Sequence, residues 1–419
     1  MFALVDCNNF YASCERVFNP MIKDKAVVVL SNNDGCVIAR SNEAKALDIP
    51  MGAPAFLYEK IFKNRNVQVF SSNYALYGDM SSRVMNILSG FTPEIEIYSI
   101  DESFLKFEGF RFFDLRQLGL NMVEKVKRGT GIPISVGIAP TKSLAKIANK
   151  IAKKFSNRTG GVYILDSAEK IDKALACTRI EDVWGIGWQH AKKLQGIKVY
   201  NALQFTKLPH EYVRKEMTQV GLRLKRDLSG ENILDLEEPV IKKNIAVTRA
   251  FEKMYSEYHE LRERVSTYCA RGAYKLRKQQ SCCSMIYVFL HTNPHRQDLK
   301  QYRCNIAVKL ASPANSTIEI TKAALSGLAK IFRQGYEYKK AGIILMGLIP
   351  ESQRQLSLFS TVNSKHEQLM KTIDHLNRNL SDKVKFAGQD LGRTWKARQE
   401  KLSPRYTTRL EEILLVHAK

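Results

Sequence analysis

The first 165 residues alternate short apolar runs with longer segments in which apolar residues recur every three or four positions. Short runs rich in β-branched residues predict strands, and the three-to-four spacing predicts helices. The predicted strands are Phe2–Asp6, Ala26–Leu30, Ile95–Ile100, Phe104–Phe107, Ile134–Ile138 and Val162–Leu165. The predicted helices are Tyr74–Leu88, Leu115–Arg128 and Ser143–Lys153. This order of elements indicates a ferredoxin-like sheet with insertions.

Beyond residue 165 the pattern changes twice. Residues 168–235 carry the helical period, with one tight turn at Gly185-Ile186-Gly187, and predict a helical domain. Residues 236–244 contain a proline and a lysine pair and predict a linker, whereas residues 245–349 mix strands and helices again. A polar tail follows at 350–419. The pattern predicts an α+β multidomain protein, in agreement with the chain length of 419 residues.

The net charge of the chain indicates what kind of partner it binds. The chain has 65 Lys and Arg against 42 Asp and Glu, which gives a formal net charge of +23. Residues 240–350 hold 19 of the basic residues and only 7 acidic ones, so a quarter of the chain carries about half of the excess. Such an excess suits nucleic acid, and a solvated basic surface is the alternative.

Other classes of protein are disfavoured. The eight cysteines are scattered and include no CxxC pair, so no zinc site is predicted. No apolar run approaches the roughly 18 residues of a membrane span, and the N-terminus has the pattern of a strand instead of a signal peptide. We therefore expect a cytoplasmic protein with no membrane partner.

Three acidic residues stand where strands of the predicted sheet end. Asp6 closes the strand Phe2–Asp6, and Asp101 and Glu102 close the strand Ile95–Ile100. A carboxylate at the end of a buried strand is costly unless it is paired or binds a metal. Adjacent strand residues point to opposite faces, so Asp101 and Glu102 can share a site only where the backbone turns. The alternatives are a two-metal site for Mg²⁺ and a solvent-facing turn.

Four segments resemble the Y-family DNA polymerases. DCNNFYASCE at 6–15 and YSIDE at 98–102 resemble the catalytic motifs of that family, and the likeness extends through 27–52 and 403–409. These motifs lie in the family's order over nearly the whole chain. The resemblance implies error-prone translesion synthesis in the SOS response to DNA damage. In that reaction a dNMP passes from a dNTP to the 3′-hydroxyl of a primer on template DNA, with two Mg²⁺ and without proofreading.

The resemblance also implies a right-hand polymerase. Its parts would be a ferredoxin-like palm at 1–167 with small fingers inserted at about 18–75, a helical thumb at 168–235, a linker at 236–244, an α/β little finger at 245–349 and a C-terminal tail at 350–419.

Catalytic roles follow by resemblance only. Asp6 and Asp101 would each contact both metals, with the carbonyl of Cys7 on the nucleotide metal and Glu102 near the primer 3′ end. Tyr11 matches the residue whose ring blocks a ribose 2′-hydroxyl, and Phe10 is the alternative.

The contacts to the triphosphate depart from the family pattern. Lys153 aligns with a family lysine on the helix after strand Ile134–Ile138. Better-known members carry Thr, Tyr and Arg where this chain has Ala39, Asn42 and Lys45. A lysine offers a point charge without the bidentate fork of arginine, so Arg40 is an alternative contact.

DNA contacts are expected at two places. The turn formed by Gly185, Ile186 and Gly187 resembles a helix-hairpin-helix, whose backbone N–H groups suit a phosphate oxygen. A plain glycine-rich turn is the alternative. The basic region 240–350 would grip the duplex through phosphates without reading the sequence of the bases.

Partners are implied by the tail. The segment Gln355, Leu356, Ser357, Leu358 and Phe359 resembles the box by which bacterial polymerases hold the β sliding clamp. Three apolar residues within a polar stretch are otherwise hard to place. The resemblance further implies a processed UmuD dimer and a RecA filament, with contacts expected around residues 386–389 and 403–409.

Two other function classes compete. Nucleotidyl cyclases also place two metals at strand ends, but the hairpin and the basic region disfavour them. A non-catalytic DNA-binding factor would not need all three carboxylates.

Overall fold

The computed structural model describes residues 1–110, 112–238, 241–355, 364–380, 384–391 and 398–414. The chain divides into two compact units. The first comprises Met1–Glu238 together with Gln399–Lys419, and the second comprises Pro239–Arg398. The division at residue 238 falls within the segment that the sequence predicts as a linker, whereas the palm, fingers, thumb and little finger remain predicted domains.

The first unit contains eight strands and eleven helices among its described residues. The strands are β1 (Phe2–Cys7), β2 (Val27–Leu30), β3 (Val37–Arg40), β4 (Gln68–Ser71), β5 (Ile95–Ile97), β6 (Glu102–Lys106), β7 (Ile134–Ala139) and β8 (Val162–Ile164). The helices are α1 (Phe10–Val17), α2 (Asn42–Ala46), α3 (Ala55–Asn64), α4 (Tyr74–Leu88), α5 (Leu115–Thr130), α6 (Lys142–Lys154), α7 (Ser156–Thr159), α8 (Ala168–Cys177), α9 (Trp188–Gly196), α10 (Ala202–Thr206) and α11 (His210–Leu228).

The main sheet of this unit has the strand order β5-β6-β1-β7-β8. Strand β1 pairs antiparallel with both β6 and β7. It is covered on both faces, because Phe2 and Leu4 join one apolar core and Ala3 and Val5 join another. The four strands β5, β6, β1 and β7 have the neighbour order of a ferredoxin-like sheet, so the predicted fold class is confirmed.

The predicted strand Ile95–Ile100 is too long. Strand β5 ends at Ile97, and β6 begins at Glu102 instead of at Phe104. The Oγ of Ser99 accepts hydrogen bonds from the amides of Asp101 (3.2 Å) and Glu102 (3.0 Å), which turns the backbone between the two strands. Asp101 therefore lies in the turn, and Glu102 opens the next strand instead of closing the previous one.

A smaller sheet, β3-β2-β4, lies between β1 and α4 in sequence, with β2 and β4 parallel. The segment 168–235, predicted to be wholly helical, contains helices α8 to α11 but also an isolated bridge between Arg179 and Asn201. Its last helix ends at Leu228, before residue 235. Helix α11 includes one residue with positive φ, Thr218.

The second unit repeats the order strand–helix–strand–strand–helix–strand. Its described elements are β9 (Ile245–Tyr255), α12 (Tyr258–Lys278), β10 (Ser281–Thr292), β11 (Arg303–Ala314), α13 (Thr317–Ile331), β12 (Tyr338–Pro350) and α14 (Ser364–Leu380). The strand order is β11-β10-β12-β9, with all pairs antiparallel. Helices α12 and α13 cover one face of this sheet. Across the described residues of both units, no helix combines the length and the apolar character needed to cross a bilayer.

Candidate active site

Strand register brings the predicted carboxylates to one end of the main sheet. Asp6 in β1 lies directly opposite Glu102 in β6 and opposite Ser135 in β7. The amide of Cys7 donates to the carbonyl of Asp101 at 2.8 Å, which fixes the turn before β6 beside the end of β1. The two sequence segments that carry the acidic residues therefore meet.

Each carboxylate has an internal partner. Lys153 Nζ lies 2.5 Å from Asp6 Oδ1, and Lys146 Nζ lies 2.8 Å and 3.0 Å from the two carboxylate oxygens of Glu102. Ser99 Oγ donates to Asp101 Oδ1 at 2.6 Å. Within the described ranges, no three His, Cys, Asp or Glu side chains converge closely enough to form a metal-binding group.

The pKa of Asp6 reflects both its burial and the charges around it. Burial raises the pKa of Asp6, the Lys153 ammonium opposes that rise, and the charges of Glu102 and Asp101 add to it. Burial is also the main reason why the pKa of the Cys7 thiol is raised, so this thiol is protonated and only its carbonyl is a suitable hard ligand. The site is thus a concentration of negative charge that two lysine ammoniums balance.

The donor set fits a hard divalent cation. Carboxylate and carbonyl oxygens are the ligands that Mg²⁺ prefers, and Asp6, Asp101, Glu102 and the Cys7 carbonyl supply them. Lys153 pairs with Asp6 and Lys146 pairs with Glu102, so these two carboxylates already stabilise positive charge at the sheet end. A lysine on a flexible four-carbon stem can move aside for an ion.

Lys146 is a site residue that the sequence analysis missed. Helix α6 places Lys142, Lys146, Lys150 and Lys153 at intervals of three or four residues, so all four share one face. Lys142 pairs with Glu96 at 2.7 Å, and Lys150 pairs with Asp182 at 2.8 Å. The helical spacing of lysines after strand β7 is the signal that could have identified Lys146.

The two candidates for sugar selection differ in exposure. Phe10 is buried in the core, whereas Tyr11 is half-buried at the start of α1. The Tyr11 ring stacks on Tyr77 of α4, with centroids 4.4 Å apart and planes at 18°. Tyr74 meets the Tyr11 ring edge-on at 6.2 Å. A half-buried ring held by aromatic neighbours is the more accessible of the two.

Asn42 and Lys45, predicted to contact the triphosphate, form a connected polar group with Asn9. Asn9 Nδ2 donates to Asn42 Oδ1 at 3.0 Å, and Lys45 Nζ donates to Asn9 Oδ1 at 2.6 Å. Burial lowers the pKa of Lys45, the positive charges of Lys153 and Arg40 add to this, and Asp6 opposes it. Lys45 and Lys153 are therefore near neighbours beside the carboxylates.

The turn at Gly185, Ile186 and Gly187 lies directly before a helix, as predicted. Gly185 has φ +85°, which favours glycine, and Gly187 precedes the first residue of α9 without a side-chain cap. Ile186 is buried and anchors the turn. The exposed helix N-terminus retains amides that suit a phosphate oxygen.

Trp184 links this hairpin to the carboxylates, which the sequence analysis did not predict. Its indole N–H donates to the Tyr98 hydroxyl at 3.1 Å. The ammonium of Lys146 lies over the Tyr98 ring, 4.5 Å from its centroid, while it pairs with Glu102. The hairpin is thus joined to Glu102 through three successive contacts, from Trp184 to Tyr98, from Tyr98 to Lys146 and from Lys146 to Glu102.

The face of the second unit's sheet opposite helices α12 and α13 carries basic residues. Register places Arg303, His291 and Lys340 side by side across β11, β10 and β12. Burial lowers the pKa of His291, and the positive charges of Arg303 and Lys340 lower it further. Lys309 lies on the same face, six positions along β11 from Arg303. We call this surface the open face.

The tail residues have mixed positions. Gln355 is exposed, and Leu356, Ser357, Leu358 and Phe359 lie outside the described residues. Phe386, Gly388 and Gln389 line a cavity of about 260 Å³ in the second unit. Ser403, by contrast, is buried within the first unit, where its hydroxyl contacts Glu15. That part of the tail is not a separate surface beyond the first unit.

Comparison with known proteins extends these observations to family level. Residues 5–150 match the impB/mucB/samB family, and residues 242–358 match the C-terminal domain of the same family. Residues 367–416 match a Domain of unknown function (DUF4113).

Relatives match over the whole chain. Protein UmuC of Salmonella typhimurium is 42% identical over 421 residues, with coverage of 99% of this chain and 100% of the relative. Protein SamB of Salmonella typhimurium is 41% identical over 419 residues, with 99% of each chain covered. The fold agrees with a Y-family DNA polymerase chimaera of Dbh and Dpo4, with a TM-score of 0.67 at 21% identity over 84% of this chain and 100% of that one. The chain therefore belongs to the impB/mucB/samB family and is a UmuC-like Y-family DNA polymerase, an enzyme of translesion DNA synthesis.

Proposed function

We propose that this polymerase transfers a dNMP from a dNTP to a primer 3′-hydroxyl at the sheet end formed by Asp6, Asp101 and Glu102. The observation that supports this location most strongly is the register of β1 and β6, with Asp6 opposite Glu102 and the Cys7 amide bonded to the Asp101 carbonyl. Oxygen ligands from two adjacent segments at one sheet end suit metal-assisted phosphoryl transfer.

A dependence on divalent metal is implied by the Y-family relatives, and we propose that the metal is Mg²⁺, with two ions per site. Asp6 and Asp101 would contact both ions, with the Cys7 carbonyl on the nucleotide side and Glu102 near the primer end. When bound, the ions supply Lewis acidity to the primer hydroxyl and to the leaving pyrophosphate.

In the proposed reaction the primer 3′-oxygen forms a bond to the α-phosphorus of the dNTP. The bond between the α-phosphorus and the bridging oxygen to the β-phosphorus breaks, pyrophosphate leaves, and the proton of the hydroxyl passes to solvent. Lys153 and Lys45 place two positive charges beside the carboxylates, where they would neutralise charge on the triphosphate. Asn42 would hold Lys45 through Asn9.

Sugar selection is assigned to Tyr11, whose half-buried ring is held by Tyr77 and Tyr74. A 2′-hydroxyl would clash with this ring. Phe10 is buried, with its ring centroid 5.7 Å from that of Tyr11, and would act by supporting α1.

Template-primer DNA would be held at two surfaces of the chain. The hairpin Gly185-Ile186-Gly187 offers backbone N–H groups at the start of α9 to a phosphate. The open face offers Arg303, Lys309 and Lys340 to further phosphates, without readout of base sequence.

The central test removes charge at the sheet end. Asp101→Asn or Glu102→Gln should lower primer extension by roughly a thousandfold or more, since metal charge stabilisation is worth several kcal/mol. DNA affinity should stay near that of the parent, because the basic surfaces are unchanged. The matched control is Asp24→Asn at an exposed position. Extension near the parent rate by either active-site variant would refute the assignment.

We also propose that Gln355, Leu356, Ser357, Leu358 and Phe359 bind the β sliding clamp. Leu358 and Phe359 would enter an apolar cleft, where burial is worth roughly 1.5–3 kcal/mol for each side chain. Leu358→Ala combined with Phe359→Ala should weaken clamp binding and spare distributive synthesis on a short primer, and Ser352→Ala, at an exposed position before the segment, is the control. An unchanged clamp affinity in the double variant would contradict the proposal.

The processed UmuD dimer, the RecA filament and a cytoplasmic location remain predictions that rest on the family resemblance.

A further inference from the structure

Residues 399–409, which we call the C-terminal strap, lie against the N-terminal part of the first unit. The amide of Ser71 donates to the carbonyl of Lys401 at 2.9 Å, and the amide of Lys401 donates back to Ser71 Oγ at 3.0 Å. Gln399 Nε2 donates to the carbonyl of Ser72 at 3.0 Å. Further along, the Tyr406 ring stacks on Phe18 with centroids 4.8 Å apart. The strap is therefore held at both of its ends.

The centre of the strap enters a buried polar site. Asn73 Nδ2 donates to the carbonyl and the Oγ of Ser403, at 3.0 Å each. Ser403 Oγ donates to Glu15 Oε1 at 3.0 Å. Glu15 and Asn73 are each 2% exposed, and Ser403 is 6% exposed. Ser403 thus acts as acceptor and donor at once, and its removal would leave two buried groups with one partner fewer.

The carboxylate of Glu15 also binds Tyr77, whose ring stacks on Tyr11. The Tyr77 hydroxyl donates to Glu15 Oε1 at 2.6 Å, the oxygen that also accepts from Ser403. The face of the Tyr77 ring stacks on Tyr11. Tyr11 and Glu15 are one helical turn apart on α1. Tyr77 therefore contacts the same helix twice, through its hydroxyl at Glu15 and through its ring at Tyr11.

We propose that the C-terminal strap fixes the ring of Tyr11 through Ser403, Glu15 and Tyr77, and thereby sets how strongly the enzyme rejects ribonucleotides. This inference rests on the proposed role of Tyr11 as the residue that blocks the 2′-hydroxyl. Ser403, Glu15 and Tyr77 are positioning residues, because they act through the ring of Tyr11. The proposal gives a function to part of residues 367–416, which match a domain of unknown function.

Steric exclusion explains why a distant serine can matter. A ring rejects a 2′-hydroxyl only if it cannot yield, so discrimination depends on the stiffness of the support and not only on the presence of the ring. Buried polar networks rigidify their surroundings when all members are satisfied. Without the Ser403 hydroxyl, Glu15 loses a donor and Tyr77 loses part of its anchor.

The experiment measures kcat/KM for a dNTP and for the matching rNTP in full-length enzyme with primer-template DNA. Ser403→Ala and Tyr77→Phe should each raise the rNTP-to-dNTP ratio about two- to tenfold, the factor that corresponds to one net hydrogen bond. Because both act on Glu15, the double variant should show little more than either single variant. Ser403→Ala should keep the dNTP value, and Thr408→Ala, at an exposed position of the strap, should match the parent in both values.

A purely structural strap predicts a different result. In that case Ser403→Ala would lower the melting temperature and leave the ratio unchanged, which would overturn the proposal. Tyr11→Ala, measured in parallel, separates this failure from a failure of the proposed sugar selection. If Tyr11→Ala admits ribonucleotides and Ser403→Ala does not change the ratio, only the strap inference falls. If Tyr11→Ala discriminates as the parent does, the role assigned to Tyr11 falls first.

Discussion

The main sheets of the two units share the order strand–helix–strand–strand–helix–strand, yet they present chemistry in different places. In the first unit β1 is covered on both faces, and among its residues only Asp6, near the end of the strand, is partly exposed. In the second unit helices cover one face, and β11 alternates exposed with half-buried residues along its length. A sheet covered on both faces leaves only its ends for function, whereas a sheet covered on one face offers a surface.

The difference also selects the kind of chemistry. A strand end is a small, partly buried place, where burial and neighbouring carboxylates raise the pKa of Asp6. Carboxylate oxygens at such a place are the ligands that small hard cations prefer. An open face is broad and solvated, so cations spaced across it meet a repeating polyanion with little desolvation. The same arrangement of elements thus fits the catalysis proposed for the first unit and the DNA binding proposed for the second.

The largest loss of stability should come from adding a side chain at a glycine within the covered sheet of the first unit. A Cβ on Gly137 of β7 would overlap the backbone of Asn149 and lie 2.5 Å from the carbonyl of Ala145 in α6, neither of which can rotate away. Gly137→Ala should therefore cost about 3 kcal/mol or more of unfolding free energy. Differential scanning calorimetry of the full chain provides the measurement.

Gly342 of β12 is the matched position in the other sheet. Its Cβ would meet side chains on the open face, 2.6 Å from Thr248 and 2.7 Å from the Phe289 ring. Side chains can adjust, so Gly342→Ala should cost only about 1 kcal/mol. Equal losses of unfolding free energy for Gly137→Ala and Gly342→Ala would contradict the difference described between the two sheets.

A smaller change in stability is expected with pH, because Glu15 is a buried acid in the first unit. Burial raises the pKa of Glu15 to about 7, against hydrogen bonds from Tyr77 and Ser403 that lower it. An unfolded glutamate titrates near 4.5, so between these values the folded state keeps a proton that the unfolded state has lost. Stability from this group is complete below the lower pKa and is lost as pH rises through the higher one.

The loss should approach about 3 kcal/mol between pH 5 and 8. Glu15→Gln keeps the shape of the side chain without the titration, so its unfolding free energy should fall less over this range. Chemical denaturation of both proteins at several pH values tests this. Parallel pH curves would show that Glu15 does not titrate as described.

The smallest effect concerns the open face. Arg303→Gln, Lys309→Gln and Lys340→Gln should each reduce the salt dependence of DNA binding, by a log–log slope of roughly 0.9 per lost phosphate contact. Binding titrations at several salt concentrations measure the slope. Lys330→Gln removes the same charge from α13, on the covered side, and should leave the slope unchanged. A slope that falls equally in the control would mean that net charge matters and the open face does not.

Much of the fold followed from local pattern. Helix α4 has its predicted bounds, and the ferredoxin-like order was predicted because apolar runs and helical spacings are local signals. The turn before Glu102 was not predicted, because it depends on hydrogen bonds to the Ser99 side chain. Proximity of Asp6 to Asp101 and Glu102 was expected from the resemblance, whereas their lysine partners were not.

The contacts of the strap could not have been predicted from any local pattern. Ser403 lies more than 300 positions from Asn73 and from Glu15 in sequence. Its hydroxyl is an ordinary feature in a polar tail, and only the folded chain shows that it is buried. Lys146 is an intermediate case, since its helical face was visible but its partner on β6 was not.

The strap has a consequence for synthesis on the ribosome. Residues up to Glu238 emerge about 165 residues before Ser403, a delay of roughly ten to thirty seconds at 5–20 residues per second. During that time Glu15 and Asn73 lack their hydrogen bonds to Ser403. A chain that stops before Ser403 would carry Asp6, Asp101 and Glu102 and still lack the hydroxyl that donates to Glu15. The hydrogen bonds of Glu15 and Asn73 are therefore complete only once the C-terminal strap has been synthesised.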